Sequence, residues 1–396
     1  MQRSTTSPWS LPPATDLPTM GAMSTRERAA RSERGGVPVI PLAGAPVLPM
    51  PEHVRRAVAR AMDLPDPRDT RGLPELREAI AAELGRAHGL RVDPERRLLI
   101  THGAMHGLSL VLRTVLAPGD EVIVPTPTFF FDGALHEAGA TPVHVPSRER
   151  DGWAIDLAGL EAAVTSRSRA LLLCNPNNPT GHLPDAETVA AVVDIAARHG
   201  LLVVSDDSWQ HFPYDGRRYR PVEAFAERWP HMITVTSLSK GYALGSWRVG
   251  YVLAPPHIVD ALERRFQWEA AWCGVVPQRA AVAALTGPRE WLDRTLATYQ
   301  AKRDRVCRGI AASGLGEPVR PAAGAFLLVD CSPLGDTPAE IDEVLLRNGI
   351  ASIRGADMHA PGTHVRLTFG SDERLLDELV EGLAKAVRET AGRTAG

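Results

Sequence analysis

The chain has 396 residues and a formal net charge of −3. This length is enough to bury a large core, whereas the charge provides no basic field for binding nucleic acid. No apolar run approaches the roughly 20 residues that span a bilayer, so we expect a soluble protein without a membrane partner.

Residues 1–36 are rich in Ser, Thr, Pro and Arg and lack the charged and then apolar pattern of a signal peptide. This composition predicts a disordered tail. Residues 37–65 are assigned to the N-terminal part of a small domain. The cysteines are far apart and lack metal-binding spacing, which predicts reduced thiols in a cytoplasmic protein. They are Cys174, Cys273, Cys307 and Cys331.

Short apolar runs alternate with helical patterns from residue 97 to residue 253. Such runs predict the buried strands of a mostly parallel sheet. Helical periodicity at 104–116 and 185–199 adds the βαβ rhythm of an α/β domain. The predicted strands are Arg97–Thr101, Glu121–Pro125, Ala170–Cys174, Leu201–Ser205, Met232–Thr236 and Val249–Leu253.

The pattern changes after about residue 288. We therefore predict a large α/β domain over residues 66–287, with a mostly parallel sheet between helices. A smaller α+β domain follows over residues 288–396. Its predicted elements are an Arg-rich helix to about residue 313, strands Ala325–Val329 and Val365–Phe369, and helices near 338–348 and 372–390.

Two segments at predicted strand ends suit a phosphate group. The first is Thr101-His-Gly-Ala-Met105, which runs directly into a helix. The second carries Ser237, Ser239 and Arg248, which would add two hydroxyl donors and a fixed positive charge. Free N–H groups at a helix start favour an anion, although many strand-to-helix turns contain Gly-Ala. The candidates in the first segment are Gly103, Ala104 and Met105.

Lysine is rare in this chain, and Lys240 lies between the two serines and the arginine of the second segment. Three of the 44 basic residues are lysines, which leaves 41 arginines. Arg stays protonated, whereas a Lys amine can lose its proton and attack a carbonyl. Because a GC-rich genome also depletes lysine, the neighbouring residues carry the argument. Lys240 is the candidate for an imine with an aldehyde cofactor that is held by its phosphate.

Two further strand ends carry polar side chains. The turn Asn175–Gly181 contains two prolines and a glycine, so it is either simply a rigid turn or a device that projects the Asn178 amide. Asp206 follows a buried strand, where a carboxylate is costly unless a cation meets it. A protonated pyridine nitrogen is such a cation. We choose Asp206 because its spacing leaves Trp209 on the same side, and Asp207 could instead be a solvated turn residue or a helix cap.

Aromatic and charged residues elsewhere could complete a site. Phe129 is a candidate ring for stacking on a planar cofactor, although such aromatic triplets are often core. Arg366 interrupts an apolar strand. It is either one half of a structural ion pair or a bidentate clamp on a substrate carboxylate. Three further residues could line the substrate pocket, in this or a partner subunit, or could pack at an interface. They are Trp268, Glu269 and Trp272.

With these residues the chain resembles the class I/II aminotransferases, which are fold-type I pyridoxal-phosphate enzymes. The resemblance covers residues 37–390 and includes Leu42–Pro46 and Gly72–Arg77. Its most specific parts are the Asn178-Pro-Thr-Gly turn and the Ser-x-x-Lys240 segment with an arginine eight residues on. It implies a seven-stranded sheet in the large domain and pyridoxal 5′-phosphate as the cofactor. It also implies an L-amino acid and a 2-oxo acid as substrates, and a homodimer with active sites at the interface.

The resemblance also implies a role for each matched residue. Lys240 would form the imine with the cofactor and move the proton between Cα and C4′. Asp206 would pair with the pyridinium, and Asn178 would hydrogen-bond the ring hydroxyl. The remaining assignments are ring stacking by Phe129, binding of the α-carboxylate by Arg366, and a position near the substrate for Gly44.

Two positions depart from the family's pattern. Trp209 stands where members usually carry a Tyr, and an indole N–H donates one hydrogen bond but cannot act as a phenol. Many members also carry a Tyr about five residues before the equivalent of Gly72, which reaches the neighbouring subunit's phosphate. Here Pro67 cannot donate, and Arg68 and Arg71 are the candidates to replace that contact.

The leading hypothesis is a ping-pong aminotransferase. The alternative keeps the cofactor but changes the outcome to elimination, replacement, ring formation or oxidation of an amino acid in specialised metabolism. A DNA-binding regulator of the same fold is disfavoured, because residues 1–36 are too few for a DNA-binding module. The sequence leaves the identity of the amino acid open.

Overall fold

The computed structural model describes residues 20–41, 48–65, 68–129 and 131–394. Gly44 and Pro67 therefore lie outside the described residues. Within these ranges, no helix combines the length and the apolar character that crossing a bilayer requires.

The first described element is helix α1 (Gly21–Arg34), where the sequence predicted disorder. The Thr25 hydroxyl is buried and donates to the carbonyl oxygen of Ser352 at 3.1 Å. The predicted disorder of residues 1–36 is therefore wrong for α1. Contacts with a distant part of the chain hold this helix in place despite its polar composition. The next elements are β1 (Ile40–Pro41), α2 (Glu52–Ala61) and α3 (Pro74–His88).

A central sheet of seven strands lies within the described chain. Its strands are β2 (Leu98–Thr101), β3 (Glu121–Thr126), β4 (Thr141–Pro146), β5 (Ser168–Cys174), β6 (Leu202–Asp206), β7 (Met232–Ser237) and β8 (Gly250–Leu253). Their order is β2-β8-β7-β6-β5-β3-β4, and only β8 runs antiparallel to its neighbours. The predicted mostly parallel, seven-stranded sheet is confirmed. The edge strand β4 was not predicted, since it is partly exposed and lacks a continuous apolar run.

Helices cover both faces of this sheet because consecutive strand residues point to opposite sides. Leu171 and Val203 join one apolar core, whereas Leu172 and Val204 join the other. The core that contains Leu172 also holds side chains of α2, of α3 and of five later helices. The helices that follow β2 are α4 (Ala104–Val115), α5 (Asp132–Glu137), α6 (Leu157–Ala162), α7 (Ala186–His199), α8 (Leu238–Gly241), α9 (Pro256–Glu269) and α10 (Val275–Thr286).

A second, smaller sheet has its own apolar core. The elements are α11 (Glu290–Ser313), β9 (Phe326–Asp330), α12 (Pro338–Arg347), β10 (Ile350–Ala351), β11 (Ile353–Arg354), β12 (His364–Thr368) and α13 (Glu373–Thr394). Strands β11, β12 and β9 form an antiparallel sheet, and β1 pairs in parallel with β10. The β1 strand thus lies beside the second sheet, whereas Val54 of α2 joins the core of the central sheet. The assignment of residues 37–65 to the small domain and the other domain boundaries stay predictions.

Parallel strands bring distant residues to one edge of the central sheet. At the carboxyl ends of β5, β6 and β7, Cys174 is in register with Asp206, and Asp206 with Val235. The segments that carry Asn178 and Lys240 follow immediately. Open α/β sheets bind their ligands outside the carboxyl ends of the strands, so this edge is where a site is expected.

Arg303 of α11 joins the second core to the segment that follows β6. Its guanidinium is fully buried and donates to Asp215 at 2.7 and 2.9 Å. A third bond runs to the carbonyl oxygen of Pro321 at 2.9 Å. These bonds fix the two segments to each other.

Replacing Arg303 by Met should lower the free energy of unfolding by about 2 to 3 kcal/mol, because the ion pair of the buried guanidinium with Asp215 and its bond to the Pro321 carbonyl are lost. Arg305→Met is the matched control, since this half-exposed residue of the same helix pairs with Asp377. It should change the free energy by less than about 1 kcal/mol. Urea denaturation followed by circular dichroism measures both, and equal losses would contradict the role of Arg303.

Candidate active site

A cavity of about 250 Å³ opens at the carboxyl edge of the central sheet. It collects predicted site residues from several strand ends and from the second sheet. Those that line it are Ala104, Met105, Phe129, Asn178, Asp206, Trp209, Ser237, Ser239, Lys240, Arg248 and Arg366. Side chains that are far apart in the chain thus share one space.

Lys240 lies in the short helix α8, directly after β7. The Ser237 hydroxyl oxygen caps this turn by accepting a bond from the Ser239 N–H at 3.0 Å. Burial lowers the pKa of Lys240 to about 8, the charges of Arg248 and Arg366 act in the same direction, and Asp206 opposes them. A fraction of the amine is therefore neutral near pH 7, which a nucleophile or a base requires.

Asp206 ends strand β6 with a buried carboxylate. Its Oδ1 accepts bonds from the N–H and the hydroxyl of Ser208, at 3.0 and 2.6 Å. Burial raises the pKa of Asp206, while the Ser208 bonds and the charge of Lys240 oppose the rise. A buried carboxylate is stabilised by a cation, so this position suits a positively charged ligand atom.

Asp207 occupies a different environment. It is fully buried and does not line the cavity. The hydroxyls of Ser205 and Tyr219 donate to its carboxylate. Burial, followed by the nearby Glu223, raises the pKa of Asp207 well above its ordinary value. The expectation of a solvated turn residue or a helix cap is wrong, because the side chain enters a hydrogen-bonded network inside the protein.

Arg366 reaches the cavity from β12 and joins the two sheets. Its Nη1 donates to the Asn178 Oδ1 at 2.9 Å, and its guanidinium carbon lies 4.0 Å from the centre of the Phe326 ring. Burial lowers the pKa of Arg366 to about 9. Because the Asn178 oxygen accepts this bond, its amide nitrogen is left to donate to another group.

The start of α4 and the Ser237–Arg248 segment form a cradle for an anion. Gly103 has a φ of +82°, and a Cβ there would lie 2.7 Å from Nη2 of Arg248. Only glycine therefore leaves this approach open. The Ser239 hydroxyl is buried and has no hydrogen-bond partner among the described residues. An unpaired hydroxyl beside a guanidinium and a helix start fits a phosphate oxygen.

The aromatic residues divide between the cavity and the core. Phe129 is half-buried and lines the cavity, whereas Phe131 is fully buried beneath the central sheet. Trp209 also lines the cavity, with edge contacts to Phe212 and Phe326 at ring-centre distances of 5.5 and 5.3 Å. One member of the aromatic triplet is therefore structural, as the sequence predicted.

The Trp-rich segment at the end of α9 does not reach this cavity within the chain. Trp268 is 91% exposed. Glu269 pairs with Arg113 at 2.9 Å, and the guanidinium carbon of Arg68 lies 5.7 Å from the Trp272 ring centre. Pocket lining from a partner subunit and interface packing both stay predictions for these residues.

Sequence reasoning missed several residues of the cavity. Ser208 and Cys174 stand within or beside predicted motifs, so their positions at strand ends could have indicated them. Helix α1 provided no such signal, because its segment was expected to be disordered. The unassigned lining residues are Met20, Ala22, Arg26, Cys174, Ser208 and Phe326.

The family of the chain follows from its sequence as a whole. A profile of the family described as aminotransferase class I and II matches residues 44–383. The chain belongs to this family. The probable aspartate/prephenate aminotransferase of Thermus aquaticus is 33% identical to it, over 92% of this chain and 96% of that protein. The aromatic-amino-acid aminotransferase 2 of Thermococcus litoralis is 29% identical, over 87% and 90%.

Solved structures of aminotransferases share this fold. The aspartate aminotransferase of Thermus thermophilus with maleate superimposes with a TM-score of 0.89 at 30% identity, over 96% of this chain and 100% of that chain. The aromatic aminotransferase of Pyrococcus horikoshii OT3 gives a TM-score of 0.85 at 28% identity, over 93% and 99%. The predicted family, fold class and aminotransferase activity are confirmed.

The Lys240 ammonium of the cofactor-free aminotransferase should titrate near pH 8. Replacing Asp206 by Asn should lower this midpoint, because the negative charge that favours the ammonium is removed. Arg248→Gln should raise it for the opposite reason. Side-chain ¹⁵N NMR can follow the three lysines separately, with Lys240→Ala for assignment and Lys302 and Lys385 as internal references. A Lys240 midpoint that neither variant moves would contradict the electrostatic account.

Proposed function

We propose that this aminotransferase moves the amino group of an L-amino acid to a 2-oxo acid, with pyridoxal 5′-phosphate as its cofactor and Lys240 as its catalytic amine. The observation that carries this proposal is the position of Lys240 in one cavity with Asp206 and Arg366. An amine whose pKa is lowered, a buried carboxylate and a buried guanidinium are the three charged groups that the reaction needs.

The residues of the cavity fit this cofactor. We assign its phosphate to the N–H groups at the start of α4, to the two serines of the cradle and to Arg248. The unpaired Ser239 hydroxyl and the close approach of the Arg248 guanidinium to Gly103 support the assignment. Asp206 would hold its charge next to the ring nitrogen, and the Asn178 amide nitrogen would donate to the ring oxygen.

When bound, pyridoxal 5′-phosphate supplies an aldehyde that condenses with amines and a protonated ring that withdraws electrons from the substrate Cα. In the proposed mechanism, Lys240 Nζ takes the proton from the substrate Cα and then delivers it to C4′ of the cofactor. Its lowered pKa makes both directions accessible near neutral pH.

Arg366 would orient the substrate by gripping its α-carboxylate with two parallel N–H donors. Burial against Phe326 restricts the guanidinium, and the bond to the Asn178 oxygen links the clamp to the ring-binding residue. A substrate oriented in this way would hold its Cα–H bond near the Lys240 amine, and water would be excluded from that bond. Phe129 and Trp209 would add apolar contacts to the cofactor ring.

Elimination, replacement or ring formation remains the alternative outcome, because Trp209 replaces the usual Tyr. The indole N–H of Trp209 still donates one hydrogen bond. The residue at this position would therefore still act with Asn178 on the ring oxygen, although not as a phenol. The relatives reported above are named aminotransferases, which supports amino transfer over the alternative.

The test is a half-reaction on the purified holoenzyme. An L-amino acid alone should convert the absorbance of the bound aldehyde into that of its amine form, and a 2-oxo acid should reverse the change. Lys240→Ala should lower kcat by at least about 10³-fold, whereas Lys385→Ala, an exposed control, should not change it. Release of ammonia without a 2-oxo acid acceptor would contradict amino transfer.

The substrate class is proposed from the residues at the cavity opening. Arg26 of α1 is exposed and offers a positive charge to the cavity, whose lining also includes the apolar Met20 and Phe326. Relatives are named for aspartate, prephenate and aromatic amino acids. We therefore propose that this enzyme takes acidic amino acids through Arg26 and also accepts aromatic ones.

Arg26→Ala should raise KM for aspartate about fivefold, as expected for a partly exposed ion pair of about 1 kcal/mol. Its KM for phenylalanine should change less than twofold. Arg31→Ala is the matched control, because Arg31 is exposed on the same helix and does not line the cavity. Steady-state kinetics with both donors measures the effect, and equal changes for the two substrates would count against the assignment.

We also propose a homodimer in the cytoplasm. The apolar side chains Met62, Leu64 and Trp268 are exposed in the single chain and are candidates for such an interface. Arg71 is engaged with Asp260 and Glu263 of its own chain, at 2.7 Å each. Arg68 and Arg71 both stay candidates for the contact with the partner's phosphate. Unpaired cysteines are typical of a reducing compartment.

A further inference from the structure

Three side chains that can bind metals meet outside the cavity. The Nε2 atoms of His144 and His359 contact the two carboxylate oxygens of Asp132, at 3.1 and 2.6 Å. The imidazole rings lie 3.8 Å apart between centres, with an angle of 32° between their planes. We call these residues the His–Asp cluster. Among the described residues, it is the one group of three such side chains whose ligand atoms all lie within 4.8 Å of one another.

The cluster has the chemistry of a transition-metal site. Ligand atoms about 2.0 to 2.2 Å from a tetrahedral zinc ion lie about 3.3 Å from one another, so small side-chain rotations suffice. One carboxylate oxygen and two nitrogens of neutral imidazoles supply lone pairs for such an ion. Two imidazoles disfavour Mg²⁺ and Ca²⁺, which prefer oxygen ligands.

We propose that Asp132, His144 and His359 bind a divalent transition-metal ion of the zinc type. Asp132 begins α5 and His144 lies in the edge strand β4, whereas His359 lies in the loop between β11 and β12. The ion therefore links the central sheet to the second sheet. Solvent water completes its coordination, because all three side chains are partly exposed.

The link lies one short segment away from the cavity. The Met358 carbonyl oxygen, next to His359, accepts a bond from the Thr128 N–H at 3.1 Å. Thr128 directly precedes Phe129, which lines the cavity. A bound ion would hold this segment against the loop at 355–361, and so steady the wall of the cavity that carries Phe129. The cluster itself contributes no side chain to the cavity.

Zinc binding to the holoenzyme tests the site. Equilibrium dialysis should find one Zn²⁺ per chain that His144→Gln and His359→Gln each weaken by at least about 100-fold. His136→Gln is the matched control, since this exposed histidine of α5 lies outside the cluster. Co²⁺ substitution should produce the visible d–d bands of low-coordinate cobalt in the wild type and in the control. Wild-type affinity in both cluster variants would overturn the site.

The bridging role has a separate test. Zn²⁺ should raise the thermal midpoint of the wild-type holoenzyme by about 3 °C and slow amide hydrogen exchange at both 128–137 and 355–361. EDTA should reverse both effects, and His359→Gln should abolish them while retaining the exchange rates of the metal-free wild type. Protection of one segment alone would overturn the link. These readouts do not depend on the catalytic reaction, so they are independent of the proposed function.

Discussion

The concentration of positive charge at one edge of the central sheet is the constraint on which the site depends. Lys240 and Arg366 are drawn into the same cavity, with Arg248 at its opening and a single carboxylate, Asp206, among them. Desolvation lowers the pKa of both buried cations. An excess of buried cations is costly unless anions balance it. Such a cavity suits a ligand with a phosphate and a carboxylate, which is what an aminotransferase must bind.

The fold creates this concentration with two sheets. Parallel strands of the central sheet align their carboxyl ends, so that residues after β5, β6 and β7 meet at one edge. The second sheet contributes Arg366, whose bond to the Asn178 oxygen crosses between the two apolar cores. Helix α1 adds Ala22 and Arg26 to the lining of the cavity. The His–Asp cluster also joins the two sheets, a short distance from the cavity. The relative position of the sheets therefore affects both the cavity and the cluster.

Local sequence was enough for the elements whose signals are local. Continuous apolar runs predicted the buried strands, and the polar residues after them predicted Asn178, Asp206 and Lys240 as neighbours at one edge. The partly exposed strand β4 and helix α1 have weak local signals, because contacts distant in the chain order them. Asp132 and His359 are 227 positions apart, so no spacing rule could bring them together.

The sequence by itself determined the family, the mostly parallel sheet and most of the charged residues of the site, because strand periodicity and short polar motifs are encoded within a few residues. Only the tertiary structure decided the environment of each group. It put Asp206 in the cavity and Asp207 in a buried network, paired Arg366 with Asn178, and brought α1 to the opening. Burial and pairing depend on residues that are distant in the chain, and these two factors fix the charge state of a side chain.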